Sequence, residues 1–177
     1  DGILKGSNPN VLTTIANLAA ARIKNLESEM VIKESELKHR LIFENAKDAI
    51  LLIKNGLFVD CNSVSLKMFG CESQNQIIGN SPINFSPKFQ YDGTDSSIKA
   101  KEKIELAIKG ESQTFDWVHK KSNGKTFDAE VSLISFNFQN QVFIQAVVRD
   151  VTERKQLNES LFKSEALYRN LIEITES

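Results

Sequence analysis

The stretch AILLIKNGLFVDC, which runs from Ala49 to Cys61, decides the fold. Two short apolar segments, Ala49–Lys54 and Leu57–Cys61, flank the dipeptide Asn55-Gly56. Short runs of this composition favour β-strands, and Asn-Gly is the dipeptide most favoured in the two-residue turn of an antiparallel hairpin. The stretch therefore predicts a β-hairpin.

The segment after the hairpin is predicted to form small helices. Asn62 is placed to cap a helix that runs through Phe69, because an Asn side chain accepts hydrogen bonds from the free N–H groups at a helix start. Gly70 then suits the left-handed residue that ends a helix. A second helix is predicted from Ser96 to Lys109, before another glycine at position 110.

Three more strands are predicted after these helices, at Ser112–Lys121, Lys125–Phe136 and Gln141–Arg149. The dipeptides Asn123-Gly124 and Gln139-Asn140 mark the turns between them. Along the second of these strands apolar residues alternate with polar ones, which indicates a sheet with one face packed on a core. The element order predicts an α+β fold: a five-stranded antiparallel sheet with short helices on one face, and a pocket between the two layers.

A long helix is predicted upstream of the hairpin, from Asn10 to Lys47, because neither Gly nor Pro interrupts this segment. Its apolar residues recur at alternating spacings of four and three, as in a coiled-coil seam, with an interruption at Lys33. The seam positions are Leu12, Ala16, Ala19, Ile23, Leu26, Met30 and Leu37. The seam favours a parallel homodimer, and the alternative is that the helix packs this stripe on its own domain.

The C-terminal segment from Thr152 onward is predicted to be a second long flanking helix that also forms a coiled coil. Its residues 164–173 carry Ser, Glu, Arg and Glu at the places where residues 35–44 carry them. Such a repeat indicates the start of a second copy of the same domain. Because the chain also begins without Met, we expect it to be a piece of a longer protein.

Composition narrows the classes of function. The net charge is -1 at pH 7, so no overall positive field attracts nucleic acid. The two cysteines, Cys61 and Cys71, and the two histidines, His39 and His119, are too few for a disulfide framework or a four-ligand zinc site, and we expect no metal site. No apolar run reaches the roughly 20 residues that span a bilayer, and the N-terminus lacks a signal-peptide pattern. We expect this segment to be cytoplasmic and to have no membrane span. The expectation leaves open a membrane association elsewhere in the parent protein.

No catalytic motif is present in the sequence. The glycines never cluster into a phosphate-binding loop, and no Gly-x-Ser-x-Gly motif occurs. His39 lies in the predicted N-terminal helix, and the phospho-accepting histidine of a histidine kinase also lies on a dimeric helix. However, Arg40 follows it at the place where such acceptors typically have an acidic residue. The segment is therefore not expected to be an enzyme in its own right.

Several segments together carry a resemblance to one family. They are Arg40–Ile50, Val59–Asn62, Met68–Cys71, Trp117–Gly124 and Arg149–Arg154. In order, they are similar to the opening helix and first strand, the second strand, the short helix, the third strand with its turn, and the closing Asp-x-Thr junction of PAS domains. From about residue 35 to 155, therefore, the chain resembles the PAS family.

The resemblance implies a sensory fold that collects a signal in its pocket and passes it to flanking helices, usually in a histidine kinase. Asp150 and Thr152 match the junction, and the relay role is expected there; Thr152 is expected to cap the exit helix. The alternative is that both residues only end a strand and start a helix. Upstream, residues 11–23 are similar to the closing helix of GAF domains. The implied division is a linker helix over 1–34, a PAS domain over 35–152, and an exit helix with the start of another PAS domain over 153–177.

PAS pockets hold haem, flavin, small acids or nothing, and the sequence weighs against two of these. The predicted helix Ser96–Lys109 has no histidine for a haem axial ligand, and Gly79–Phe85 lacks the cysteine of photoactive flavin modules. Haem and cysteinyl flavin are therefore disfavoured, and a small organic ligand or none remains. His119 shares a strand face with Trp117, in the core or on the outer face of the sheet. By alternation and family analogy, the pocket is expected to be lined by some of Ile50, Leu52, Met68, Phe69, Ile78, Phe85, Phe127, Val131 and Ile144.

The expected function is thus that of a sensory PAS domain in a two-component histidine kinase. Its expected partners are a second copy of the chain and neighbouring GAF, PAS and kinase domains. Two alternatives stay open: a ligand-free dimerisation or protein-interaction module with a filled core, and the sensor arm of another output enzyme such as a cyclic-dinucleotide enzyme.

Overall fold

The structure is a computed structural model that describes the backbone of residues 9–175 and the side chains of residues 10–169. The chain divides into two units, with the boundary between Phe43 and Glu44. The described part of the first unit is one long helix, α1 (Pro9–Glu44), whose last residue belongs to the second unit. The predicted long helix is confirmed, although it ends three residues before Lys47.

The seam residues of α1 are exposed in the single chain; Met30, for example, is 70% exposed. None of the helices within residues 9–175 combines the length and the apolar character needed to cross a lipid bilayer.

The second unit contains a five-stranded antiparallel sheet in the order β2-β1-β5-β4-β3. The strands are β1 (Ala49–Lys54), β2 (Leu57–Cys61), β3 (Gln113–Lys120), β4 (Thr126–Phe138) and β5 (Gln141–Asp150). The helices are α2 (Ser63–Phe69), α3 (Ser96–Ile108) and α4 (Thr152–Thr175), with two 3₁₀ turns at Gln74–Gln76 and Pro82–Phe85. The predicted α+β fold with its antiparallel sheet is confirmed.

The tight turns follow from local chemistry. In the β1–β2 hairpin, Asn55 has φ 52° and Gly56 has φ 78°, so both residues adopt the positive φ that a type I′ turn requires. The two residues of the β4–β5 turn also have positive φ although neither is glycine: Gln139 has φ 50° and Asn140 has φ 58°. Both hairpins thus form where the dipeptides predicted them.

Asn62 holds the start of α2 against β1. Its Oδ1 accepts hydrogen bonds from the N–H groups of Ser65 at 3.0 Å and Ile50 at 3.1 Å, and its side-chain amide donates to the Asp48 carbonyl at 3.1 Å. The predicted cap is confirmed, and the same side chain also joins the helix to the sheet. Gly70 ends α2 in the left-handed conformation, with φ 69°.

The core lies between one face of the sheet and the short helices. Ala49, Leu51 and Ile53 of β1 point into it, as do the alternate residues 127, 129, 131 and 133 of β4 and 144, 146 and 148 of β5. Phe69 of α2 is the largest fully buried side chain, and its ring contacts those of Phe85 and Phe127. The helices therefore cover the apolar sheet face, as the alternation along β4 predicted.

β3 is an edge strand, and part of its free edge is occupied by a side chain. Gln90 accepts a hydrogen bond from the Val118 N–H at 2.7 Å and donates to the Val118 carbonyl at 3.2 Å. Its amide also donates to Ser96 Oγ at 2.8 Å. The amide thus takes the place of one residue of a neighbouring strand, and it anchors the loop before α3 to the sheet.

Candidate functional site

A small cavity lies between the apolar sheet face and the helices. Its volume is about 50 Å³. All five strands and helices α2 and α3 contribute to its wall. The lining residues are Leu51, Ile53, Phe58, Phe69, Pro82, Ala100, Lys103, Ile104, Phe115, Trp117, His119, Val131, Leu133, Ala146 and Val148.

His119 is the unusual residue of this lining. It is only 6% exposed, and its ring packs against Phe69 edge-on and against Phe127 in a stack, with centroid distances of 5.1 and 5.4 Å. Its Nδ1 lies 3.1 Å from the carbonyl oxygen of Phe85, whereas its Nε2 has no hydrogen-bond partner. Burial lowers the pKa of His119 from 6.5 to about 4, and the Phe85 hydrogen bond offsets this only in part. The imidazole is therefore neutral at physiological pH.

The neighbouring Trp117 is oriented by a hydrogen bond of its own. Its indole Nε1 donates to Ser86 Oγ at 3.0 Å, and Ser86 Oγ in turn donates to the Pro82 carbonyl at 3.0 Å. Ser86 is buried, so this pair ties the loop after the second 3₁₀ turn to β3. The hydrogen bond to Ser86 thereby sets the orientation of the Trp117 ring in the cavity wall.

The structure places the residues expected in the pocket in three groups. Phe69 and Val131 line the cavity. The side chains of Phe85, Phe127 and Ile144 are buried in the surrounding core. Met68 packs on that core while partly buried, and Ile78 is also only partly buried because its neighbour Ile77 takes the core position.

The prediction that Ile50 and Leu52 line the pocket assigns the wrong alternate residues of β1 to the core face of the sheet. Both are half-buried on the opposite face of the sheet from Leu51 and Ile53, which line the cavity. The segment from 49 to 53 is apolar throughout, so no polar residue marks which alternate side chains face the core. The pairing of Leu51 with Ala146 of β5 settles the phase, because paired residues share a face.

Sequence analysis did not include His119 and Trp117 in the lining, although a signal for both exists. Trp117 pairs with Ala129 and His119 with Phe127, and these two β4 residues belong to the alternating apolar set. A correct β3–β4 register across the Asn123-Gly124 turn therefore places both residues on the core face.

A second candidate region is the junction between β5 and α4. Asp150 Oδ1 accepts a hydrogen bond from the Thr152 N–H at 2.9 Å. The Thr152 hydroxyl does not turn toward its own helix as expected for a cap. It instead accepts from the Asp128 N–H at 3.0 Å and donates to the Asp128 carbonyl at 3.4 Å, while the Val151 N–H donates to that carbonyl at 2.9 Å. The start of α4 is thereby bound to β4 as well as to β5.

Lys155, one turn into α4, adds charged contacts to the same strands. Its Nζ lies 3.2 Å from Asp128 Oδ1 and 3.0 Å from Asp116 Oδ2 of β3. Burial by itself would lower the pKa of Lys155, but the hydrogen bonds with Asp116 and Asp128 outweigh it, and the pKa is raised. The Tyr91 hydroxyl donates to the second carboxylate oxygen of Asp128 at 3.2 Å. Asp128 therefore binds the exit helix through its backbone and its side chain, and sequence analysis did not single it out.

At the same end of β5, Arg149 forms an ion pair with Asp48, which precedes β1. The distance between Arg149 Nη2 and Asp48 Oδ2 is 2.8 Å, and Arg149 Nε lies 3.2 Å from the same oxygen. The last residues of β5 thus contact both the start of β1 and the start of α4.

Both cysteines are free thiols, with Cys61 buried and Cys71 partly buried. Burial, with smaller contributions from Asp60 and Glu44, raises the pKa of the Cys61 thiol to about 11, and burial raises the pKa of Cys71. Both thiols are therefore protonated at physiological pH. Within the described residues, no three His, Cys, Asp or Glu side chains converge in a way that could hold a metal ion.

Comparison with known proteins identifies the family. Sporulation kinase A of Bacillus subtilis is 25% identical over 142 residues, which cover 78% of this chain but only 22% of that kinase. The PAS domain of an HTR-like protein from Haloarcula marismortui superposes with a TM-score of 0.60 at 21% identity, covering 70% of this chain and 98% of that domain. A domain of a sensory box sensor histidine kinase/response regulator from Geobacter sulfurreducens gives a TM-score of 0.54 at 20% identity, covering 67% and 96%. The family model described as PAS domain matches residues 47–153, and the chain belongs to the PAS domain family.

Proposed function

We propose that this PAS domain senses or relays a signal in a multidomain histidine kinase and passes it through the Asp150–Thr152 junction into α4. The similarity to Sporulation kinase A supports a kinase parent, and the chain spans about a fifth of that relative, 22% of its length. In the proposed parent, residues 1–34 are a linker helix that ends a GAF domain, residues 35–152 are this PAS domain, and residues 153–177 are the exit helix and the start of another PAS domain. The kinase domains follow, and this segment lies in the cytoplasm.

The observation that carries the proposal is the attachment of α4 to β4. The Thr152 hydroxyl and the Val151 N–H both bond to the Asp128 backbone. Asp128 lies on β4 between the buried residues Phe127 and Ala129, and Val131 of the same strand lines the cavity. A shift of β4 caused by a change in the cavity therefore acts directly on the first turn of α4.

The exposed stripes of the flanking helices support a dimeric output. On α4, Leu157 and Leu161 are 64% and 59% exposed. Apolar side chains at this spacing are stable in water when a second helix covers them, as in a two-chain coiled coil. We propose that α1 and α4 each pair with their counterparts in a second copy, so that a rotation or register shift of α4 reaches the kinase domains.

The test uses the full-length parent kinase with Asp150→Ala and Thr152→Val. Thr152→Val keeps the side-chain volume but removes both hydroxyl bonds to Asp128. Each variant should change stimulus-dependent autophosphorylation at least several-fold while the PAS domain stays folded, with its thermal unfolding temperature lowered by roughly 5–10 °C, because about 1 kcal/mol is lost per hydrogen bond. Glu159→Ala is the matched control, since Glu159 is exposed on α4 and pairs only with Lys163 on its own helix. Wild-type output from both junction variants would refute the relay, and a parent without autophosphorylation would refute the kinase assignment.

The small size of the cavity favours a second candidate function, a protein-interaction and dimerisation module that binds no ligand. A volume of about 50 Å³ leaves most of the interior filled by side chains. Native mass spectrometry of the protein purified from its own host, together with a visible absorbance spectrum, separates the two functions. A copurified small molecule or chromophore supports sensing, and an unloaded protein supports the interaction module.

A further inference from the structure

The last residue of α1, Glu44, is bonded to the start of α2. Its Oε2 accepts a hydrogen bond from the Ser63 N–H at 2.8 Å, and its carbonyl oxygen accepts one from the Ser63 hydroxyl at 3.2 Å. Ser63 is the first residue of α2 and directly follows the cap residue Asn62. A displacement of Glu44 therefore acts on the start of α2.

Asn62 joins the start of α2 to Asp48, which precedes β1. The side chain of Asn62 is fully buried, and its amide donates to the Asp48 carbonyl at 3.1 Å. The Asn62 N–H also donates to the Ile50 carbonyl at 3.0 Å. Movement of a buried side chain away from these partners would leave polar groups unpaired in the interior, which is costly. The start of α2 and the backbone of Asp48 are therefore expected to move together.

Asp48 in turn contacts the end of β5 through Arg149. The ladder between β1 and β5 ends with the pair Ala49 and Val148, so Asp48 and Arg149 extend it by one position with their side chains. Arg149 Nη2 lies 2.8 Å from Asp48 Oδ2, and Arg149 Nε lies 3.3 Å from Asp48 Oδ1. An arginine that contacts both oxygens of a carboxylate fixes the orientation of the two groups as well as their separation.

We propose that Asp48 and Arg149 are positioning residues that couple the end of α1 to the start of α4, so that the domain receives a mechanical input from α1 at a place separate from the cavity. The inference rests on the proposed relay function and names a source of its signal. Arg149 directly precedes Asp150, whose carboxylate accepts the Thr152 N–H at 2.9 Å. The route from Glu44 to Thr152 thus runs through hydrogen bonds and one ion pair, and none of the residues on it lines the cavity.

The first experiment follows the backbone amide resonances of the whole ¹⁵N-labelled chain by NMR and needs no kinase activity. Glu44→Ala removes the carboxylate that accepts the Ser63 N–H, and it should shift the amide resonances of Val151 and Thr152 at the start of α4. Glu34→Ala is the matched control, because Glu34 is exposed on the same helix, and it should leave both resonances in place.

The same substitution is then repeated in chains without the ion pair. In Asp48→Asn and Arg149→Gln backgrounds, the shift that Glu44→Ala causes at the start of α4 should be at least about threefold smaller, because coupled positions are not additive. Glu130→Gln removes a weaker contact of the same guanidinium, at 3.7 Å, and should leave the shift unchanged. All three backgrounds should stay folded, with thermal unfolding temperatures within about 5 °C of the wild type, since an exposed ion pair contributes little to stability.

The second experiment uses the full-length parent kinase. One alanine inserted after Lys33 rotates the preceding part of α1 by about 100° relative to the residues that follow. The insertion should change autophosphorylation at least about fivefold in the wild type and less than about twofold in Asp48→Asn, as expected for coupling between two sites. An insertion effect of equal size in both backgrounds, or no effect in the wild type, would overturn the proposal.

The NMR results decide the proposal independently of kinase output. Amide resonances of Val151 and Thr152 that do not respond to Glu44→Ala would overturn it, and so would a response of equal size with and without the ion pair. If Asp150→Ala and Thr152→Val change autophosphorylation while these amides ignore Glu44→Ala, only the input from α1 fails. If both junction variants keep wild-type output, the relay itself fails, whatever the amides report.

Discussion

Replacing His119 with Phe should remove a large part of the acid sensitivity of the fold. The pKa of His119 falls from 6.5 in the unfolded chain to about 4 in the folded protein. Between these values the unfolded chain binds a proton that the folded protein does not, so the free energy of unfolding decreases as the pH falls through this window. Above pH 6.5 the contribution is fully present, and below about pH 4 it is lost.

The expected magnitude follows from the shift. One pKa unit corresponds to about 1.4 kcal/mol, so the wild type should lose roughly 2 kcal/mol from this histidine by pH 5 and roughly 3 kcal/mol by pH 4. His119→Phe has no titrating group at this position. The difference in unfolding free energy between wild type and variant should therefore change by these amounts, while titrating carboxylates affect both proteins alike.

The assay is urea unfolding at several pH values from 7.5 to 4, followed by the fluorescence of Trp117, the only tryptophan in the chain. Trp117 reports on the site directly, because its ring centroid lies 6.5 Å from that of His119. His39→Phe removes the exposed histidine of α1 and should keep the wild-type profile, since His119 remains. Parallel profiles for wild type and His119→Phe between pH 7.5 and 5 would refute the buried neutral histidine.

Two further substitutions test the residues that begin and end α2, Asn62 and Gly70. Asn62→Ala should lower the free energy of unfolding by roughly 2–3 kcal/mol in urea titrations, because it leaves buried N–H groups of Ile50 and Ser65 without their acceptor; a loss below 0.5 kcal/mol would contradict the joint role of this side chain. Gly70→Ala should cost more than the roughly 1 kcal/mol expected for a left-handed alanine, because the added Cβ would lie 3.2 Å from Ser122 Oγ. Gly93→Ala is its matched control, with a positive φ of 77° but open space around the added Cβ; equal unfolding free energies for the two variants would show that the Ser122 contact has no effect.

Features that depend on neighbouring residues in the chain are predictable from sequence. The turn at Asn55-Gly56, the cap at Asn62 and the left-handed Gly70 all form where the sequence predicts them. Each depends on the conformational preference or hydrogen-bonding capacity of one or two residues, which act over only a few positions. Together with the alternation along β4, they suffice for the fold class.

The candidate site depends instead on contacts between distant residues. The apolar run of β1 has no polar residue to set its phase, so only its pairing with β5 places Leu51 at the cavity and Leu52 on the opposite face. Likewise, the preference of a threonine at the start of a helix does not reveal that the Thr152 hydroxyl bonds to Asp128 of β4. The sequence by itself determined the strands, the turns and the antiparallel sheet with its helices, because these follow from local preferences and from the spacing of apolar residues. Only the tertiary structure decided that His119 is buried with its Nε2 unpartnered and that α4 is bonded to β4, because these depend on contacts between segments distant in the chain: the turn at Phe85 with β3, and α4 with β4.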